Sequence, residues 1–89
     1  MAADRRTVVS PMQARRFGDH VRERRRELRI SEVELARALG ITARQLQSVE
    51  EGDVVPSEEV IGKMSALLRS PEAHLRQLVG LPPTYVAEG

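Results

Sequence analysis

Apolar residues recur three and four positions apart through the middle of the chain: Phe17 and Val21, Leu35 and Leu39, Leu46 and Val49, then Val60, Ile61, Met64, Leu67 and Leu68, and last Leu75, Leu78 and Val79. Successive residues of an α-helix turn by about 100°, so each group forms a stripe on one helix face. The pattern predicts helices at about 11–28, 32–39, 43–50, 58–68 and 71–79, and no segment is read as a strand. None of these short helices is stable alone. With links of two to seven residues, the economical arrangement is a compact all-α bundle of five helices around one core.

The polar residues between the stripes mark the same boundaries. Ser10-Pro11-Met12-Gln13, Ser31-Glu32-Val33-Glu34 and Thr42-Ala43-Arg44-Gln45 each offer a hydroxyl N-cap with Glu or Gln three residues on, and the first adds proline at the opening helical position. Ser57 and Ser70-Pro71 are read as two further starts. Gly40, Gly52 and Gly80 follow helical runs, where glycine closes a helix in the left-handed conformation. The chain divides into a basic arm at 1–9, a helical domain at 10–80 and a C-terminal tail at 81–89.

Eighty-nine residues hold one ordinary domain, and 40% hydrophobic with 30% charged residues is a globular balance. The only aromatic residues are Phe17 and Tyr85, which argues against the stacking platforms of single-strand and RNA binders. There is no cysteine, so a disulfide framework and a thiolate metal site are both excluded. Met1 to Ser10 lacks the apolar run of a signal segment and no stretch approaches the roughly 18–20 apolar residues of a membrane span, so a soluble cytoplasmic protein is expected. The net charge of +1 is uninformative, but its distribution is not. Residues 1–30 carry nine arginines against four acids, and residues 31–62 carry two against seven, giving halves of +5 and −5. The basic half suits an acidic partner such as nucleic acid, or forms a solvated helix face.

The second and third predicted helices meet through Leu39-Gly40-Ile41-Thr42, a short glycine-containing turn of the helix-turn-helix kind, with small Ala36 placed where a second helix can cross closely. Residues 17–80, 64 of the 89, resemble the Cro and phage-repressor (Xre) family of helix-turn-helix domains. The signposts are Arg25, Ser31 with Glu34-Leu35-Ala36, Leu39-Gly40-Ile41, and Val49-Glu50-x-Gly52 followed by Pro56-Ser57. The resemblance implies a lambda-repressor-like fold, double-stranded DNA as partner, a repressor-like role in transcription, and an ion pair between Arg25 and Glu50 that is read as structural.

Helical geometry alone points Arg44, Gln47, Ser48 and Glu51 away from Leu46 and Val49, with Ala43 at the margin. In a major groove Arg44 suits guanine, Gln47 suits adenine and Ala43 can approach a thymine methyl. The candidate DNA-contacting residues are Thr42, Ala43, Arg44, Gln45, Gln47 and Ser48, with Arg5 and Arg6 as a minor-groove arm. Four departures from the family pattern stand out. Glu32, Glu51 and Asp53 put negative charge where phosphate contacts are usual, and Arg24 replaces an apolar helix 1 residue, with Leu28 as its expected compensation.

Two rival uses are weighed against DNA reading. The acidic 50–59 segment suits a scaffold for protein contact, as in an antirepressor, an antitoxin or a polymerase-binding factor. An enzyme has less to draw on: His20 and His74 fall on separate helices and are read as surface residues, there is no phosphate loop or HExxH spacing, and no metal or cofactor is expected. A homodimer contact is available through helix 71–79 and the tail, unless a monomer uses Leu75, Leu78 and Val79 as core.

Overall fold

The computed structural model describes residues 10–80. Five helices follow one another, α1 Pro11–Glu27, α2 Glu32–Leu39, α3 Ala43–Glu50, α4 Glu58–Leu68 and α5 Glu72–Leu78, and no strand occurs among the described residues. Four starts use the expected capping chemistry. Ser10, Ser31 and Thr42 each accept from the backbone N–H three residues on, while Gln13, Glu34 and Gln45 reach back to the cap's own N–H; Ser57 accepts from Val60 N.

The fifth start is a correction. Ser70 does not cap α5, whose N-cap is Pro71 without a side-chain bond. Ser70 is instead spent closing α4: its N–H donates to Ser65 O at 3.1 Å, its carbonyl accepts from Ser65 Oγ at 2.6 Å, and its buried hydroxyl meets His20 Nε2 at 3.0 Å. With so short a link between α4 and α5, the residue that ends one helix turns inward and cannot open the next.

Four helices end alike. The N–H of Ile30, Ile41, Asp53 and Ser70 bonds back to the carbonyl of Arg25, Ala36, Ser48 and Ser65, five residues earlier, the Schellman closure that needs a left-handed residue just before the donor. Gly40 and Gly52 supply it twice, but Arg29 (φ 58°) and Arg69 (φ 55°) supply it at the other two ends.

Phe17 and Val21 of α1, Leu35, Ala36 and Leu39 of α2, Leu46 and Val49 of α3, Ile61, Met64 and Leu68 of α4, and Leu75 with Val79 form one buried cluster. Each large side chain removed from water here stabilises the fold by about 1.5–3 kcal/mol before entropy is counted. α1 packs against α3, α4 and α5, α2 against α3 and α4, and α4 against α5. Buried Arg76 joins the last pair through Glu58 at 3.2 Å. Where α1 crosses the end of α3 the approach is backbone to backbone. A Cβ on Gly18 would lie 2.7 Å from Glu50 O, and nearer still to Val49 O, so no larger residue fits without moving one helix.

Candidate nucleic-acid interface

The turn between α2 and α3 is built by two local devices. Gly40 adopts φ 78°, which lets Ile41 N–H close on Ala36 O, and Thr42 immediately caps α3. Ala36, 2% exposed, keeps the crossing close, and Leu35, Leu39, Leu46 and Val49 fill the space beneath. The second helix is thereby fixed on its inner side and presents the other outward. Thr42, Ala43, Arg44, Gln45 and Gln47 are exposed, Ser48 is half-buried and Glu51 is exposed beyond the helix end. Within this group the side-chain oxygens of Thr42 and Gln45 are occupied by the capping box, at 3.0 and 2.8 Å. Arg5 and Arg6 lie outside the described residues.

The far end of α3 is clamped to α1. Glu50 is 1% exposed and receives a two-pronged bond from Arg25, Nε at 2.7 Å and Nη2 at 3.1 Å. The Glu50 hydrogen bond, and secondarily the nearby carboxylates, push the Arg25 pKa above its ordinary value against the opposing effect of burial. Arg25 also donates to Ile30 O at 3.1 Å and lies 3.8 Å from Glu32. Arg22 adds a second cation, with Nε 3.5 Å from Glu50 Oε1 and Nη2 bonded to its carbonyl at 3.2 Å. Such an array ties the end of α3 to α1.

These contacts change the expected charge balance. Of the seven arginines between 15 and 29, Arg22 and Arg25 are drawn into the Glu50 clamp, and Arg24 donates to Leu68 O at 3.1 Å, to Arg69 O at 3.5 Å and to Glu27 at 2.6 Å. Arg24 therefore caps the exposed carbonyls ending α4, which is how a cation occupies a position where an apolar residue is usual. Leu28, expected to compensate, ends α1 as its C-cap and is half-buried. Arg15, Arg16, Arg26 and Arg29 remain exposed. Glu32 has Arg25 beside it, whereas Glu51 and Asp53 stand exposed at the end of α3.

His20 and His74, read from the sequence as separate surface residues, meet edge to face with ring centroids 5.1 Å apart. His20 is half-buried and its pKa is lowered, first by burial, then by His74 and Arg24, against the opposing pull of Glu23 and Glu27. No cluster of three or more His, Asp or Glu side chains suited to a metal occurs among the described residues. Nor is any described helix long and apolar enough to cross a membrane. Of the proposed dimer contact, Leu75 and Val79 are wholly within the core and Leu78 is half-buried, while the 81–89 tail lies outside the described residues.

Sequence reasoning missed Gly18, Arg22 and the groove beside α3. A glycine interrupting a helical pattern is a signal of close packing, so Gly18 was detectable; the other two depend on tertiary placement.

A helix-turn-helix family model of the Cro/C1, Xre-like type matches residues 21–75, and the chain belongs to that family of DNA-binding domains. No curated protein matches it.

Proposed function

We propose that this protein is a repressor-like transcription regulator that recognises double-stranded DNA by sequence, with α3 in a major groove. The observation supporting the reading is the pose of α3: exposed Arg44 and Gln47 project from a helix whose other side is held by the core and by the Arg25–Glu50 clamp. Side chains carried on a fixed helix lose little further freedom on binding. Arg44 pairs with guanine O6 and N7, Gln47 with adenine, Ala43 meets a thymine methyl, and Ser48 accepts either partner. Thr42 and Gln45 fix the helix start at the groove edge, and Arg5 and Arg6 reach neighbouring phosphates or the minor groove.

Glu51 and Asp53 make this face poor in sequence-independent attraction, because neutralising phosphates supplies most non-specific affinity. Retention then depends on base contacts, a property suited to a regulator that must leave random DNA quickly. Two domains on paired half-sites would touch through Leu78 and the 81–89 tail, since Leu75 and Val79 are committed to the core. A rival use as a protein-contact scaffold draws on the exposed acids Glu51, Asp53, Glu58 and Glu59.

Gel shift with a random duplex tests the reading first. A weak shift at about 50 mM salt that fades steeply as salt rises is expected; no shift at any salt, together with a random duplex library that yields no bound sequence, would overturn DNA binding.

A further inference from the structure

The joint between α1 and α5 brings the chain's two histidines together beside a helix end. His20 of α1 and His74 of α5 meet edge to face with ring centroids 5.1 Å apart. His20 Nε2 shares a 3.0 Å hydrogen bond with the hydroxyl of Ser70, a buried residue whose N–H and carbonyl close α4. Two cations stand close by. Arg24 is bonded to Leu68 O and Arg69 O at the end of α4, and Arg16 borders, with His74, an open groove through which water reaches that ring. Of the acids on this side of α1, Glu27 is already held by Arg24 at 2.6 Å, which leaves exposed Glu23. On α5, Glu72 and Arg76 face each other at 4.0 Å, and Arg76 also reaches Glu58.

We propose that this joint is a latch opened by acid: protonation of His20, with His74 charged beside it, releases α5 from α1 while the helix-turn-helix stays folded. Neutral rings pack edge to face, whereas two imidazolium rings at this spacing repel each other. The hydroxyl of Ser70 can accept as well as donate, so its bond to His20 survives either charge state. The repulsion from His74 and Arg24 is not relieved in the same way. In the folded chain the His20 pKa is lowered by burial first, then by His74 and Arg24, and the pull of Glu23 and Glu27 does not offset them. The proton is therefore held more firmly once the joint has opened, and acid favours the open form.

α5 is the element able to leave. It spans seven residues and starts without a side-chain cap, unlike the other four helices. It packs on α1 and α4, whereas α2 and α3 are held by each other and by α1 and α4, and the Arg25–Glu50 clamp joins α1 to α3 without it. Buried Leu75 and Val79 oppose release, so the open form is a minor population at neutral pH that acid enlarges. A ring that stays neutral when docked and titrates near pH 6.5 when released multiplies that population by at most about tenfold between pH 7.5 and 5.5. Carboxylates, which ordinarily titrate near pH 4, stay ionised through this window. The latch does not depend on what α3 binds.

Amide hydrogen exchange of the full chain tests the latch, read as protection factors so that the pH dependence of intrinsic exchange drops out. Between pH 7.5 and 5.5 the protection of Leu75, Arg76, Gln77 and Leu78 should fall about three- to tenfold, while that of Leu46 and Val49 in α3 changes by less than about twofold. His20→Gln keeps an amide that can bond Ser70 but takes up no proton in this range, and should abolish the fall. His74→Gln leaves His20 and Ser70 in place and should at least halve it. Protection in α5 that is independent of pH, that falls in step with α3, or that falls equally in His20→Gln would each overturn the proposal. A fall left whole by His74→Gln would overturn it too, since the charge facing His20 would then play no part. Should His20→Gln fail to fold at pH 7.5, the contrast between α5 and α3 in the wild type and the response of His74→Gln still decide.

Discussion

Replacing Arg25 by Met separates the clamp from the rest of the fold. Methionine keeps the length and apolar stem of arginine but removes both bonds to Glu50 and the bond to Ile30 O, leaving a carboxylate 1% exposed with Arg22 Nε at 3.5 Å as its nearest cation. Breaking a buried pair by removing one partner costs about 3–5 kcal/mol, and the surviving Arg22 contact places this case near 3 kcal/mol. Small domains have about 5–15 kcal/mol in all, so the loss is a large share, and at about 4–8 °C per kcal/mol Tm should fall by roughly 12–24 °C. Urea unfolding followed by the helical circular dichroism signal measures it. Adding Glu50→Leu should restore at least half of the loss, because the stranded charge is then gone. A single substitution costing under about 1 kcal/mol, or a double variant whose losses simply add, would refute the account of a desolvated clamp.

Three further outcomes follow from the same structure. Gly18→Ala should destabilise by about 1–3 kcal/mol or more, because its Cβ meets the carbonyls of Val49 and Glu50. Gly40→Ala, with open space around it and φ 78°, should cost only the left-handed strain of about 1–2 kcal/mol; urea midpoints in the reverse order would contradict the packing. Folding lowers the His20 pKa, so the unfolded chain binds the proton more readily, and His20's contribution is complete above about pH 6.5 and lost as pH falls below it. His20→Gln should flatten the decline in stability between pH 7.5 and 5, and an unchanged pH profile would assign that decline to other groups. Glu51→Gln with Asp53→Asn should strengthen binding to any duplex, most at low salt, since exposed charges are screened over roughly 10 Å at 0.1 M; titrations showing equal affinity would remove these acids from the DNA path.

Much of the fold was legible because capping and spacing agree. Ser10, Ser31, Thr42 and Ser57 each announce a helix with the hydroxyl that then caps it, and Gly40 marks the turn that only a left-handed residue completes. The acids and arginines were harder to read, because their roles are set by neighbours distant in sequence. Arg24 looked like a misplaced charge until Leu68 O lay 3.1 Å from it, and Ser70 looked like a cap until the fold turned it toward His20. Arg29 and Arg69 close helices in a conformation that glycine usually takes, and nothing local in the sequence marks them. The outward face of α3 followed from helical geometry, whereas the consumption of Arg22, Arg24 and Arg25 by internal bonds required the tertiary arrangement.

The central claim is that α3 reads bases, and Arg44→Ala tests it most directly. Selection from a random duplex library first supplies the preferred site, and titration then compares wild type and variant on that site and on its single-base changes. If Arg44 pairs with a guanine, the variant should bind the preferred site about 5- to 150-fold more weakly, the equivalent of about 1–3 kcal/mol, and lose preference at one position while non-specific affinity is nearly retained. A selection that yields no preferred sequence, or an Arg44→Ala protein with unchanged affinity and preference, would contradict the claim.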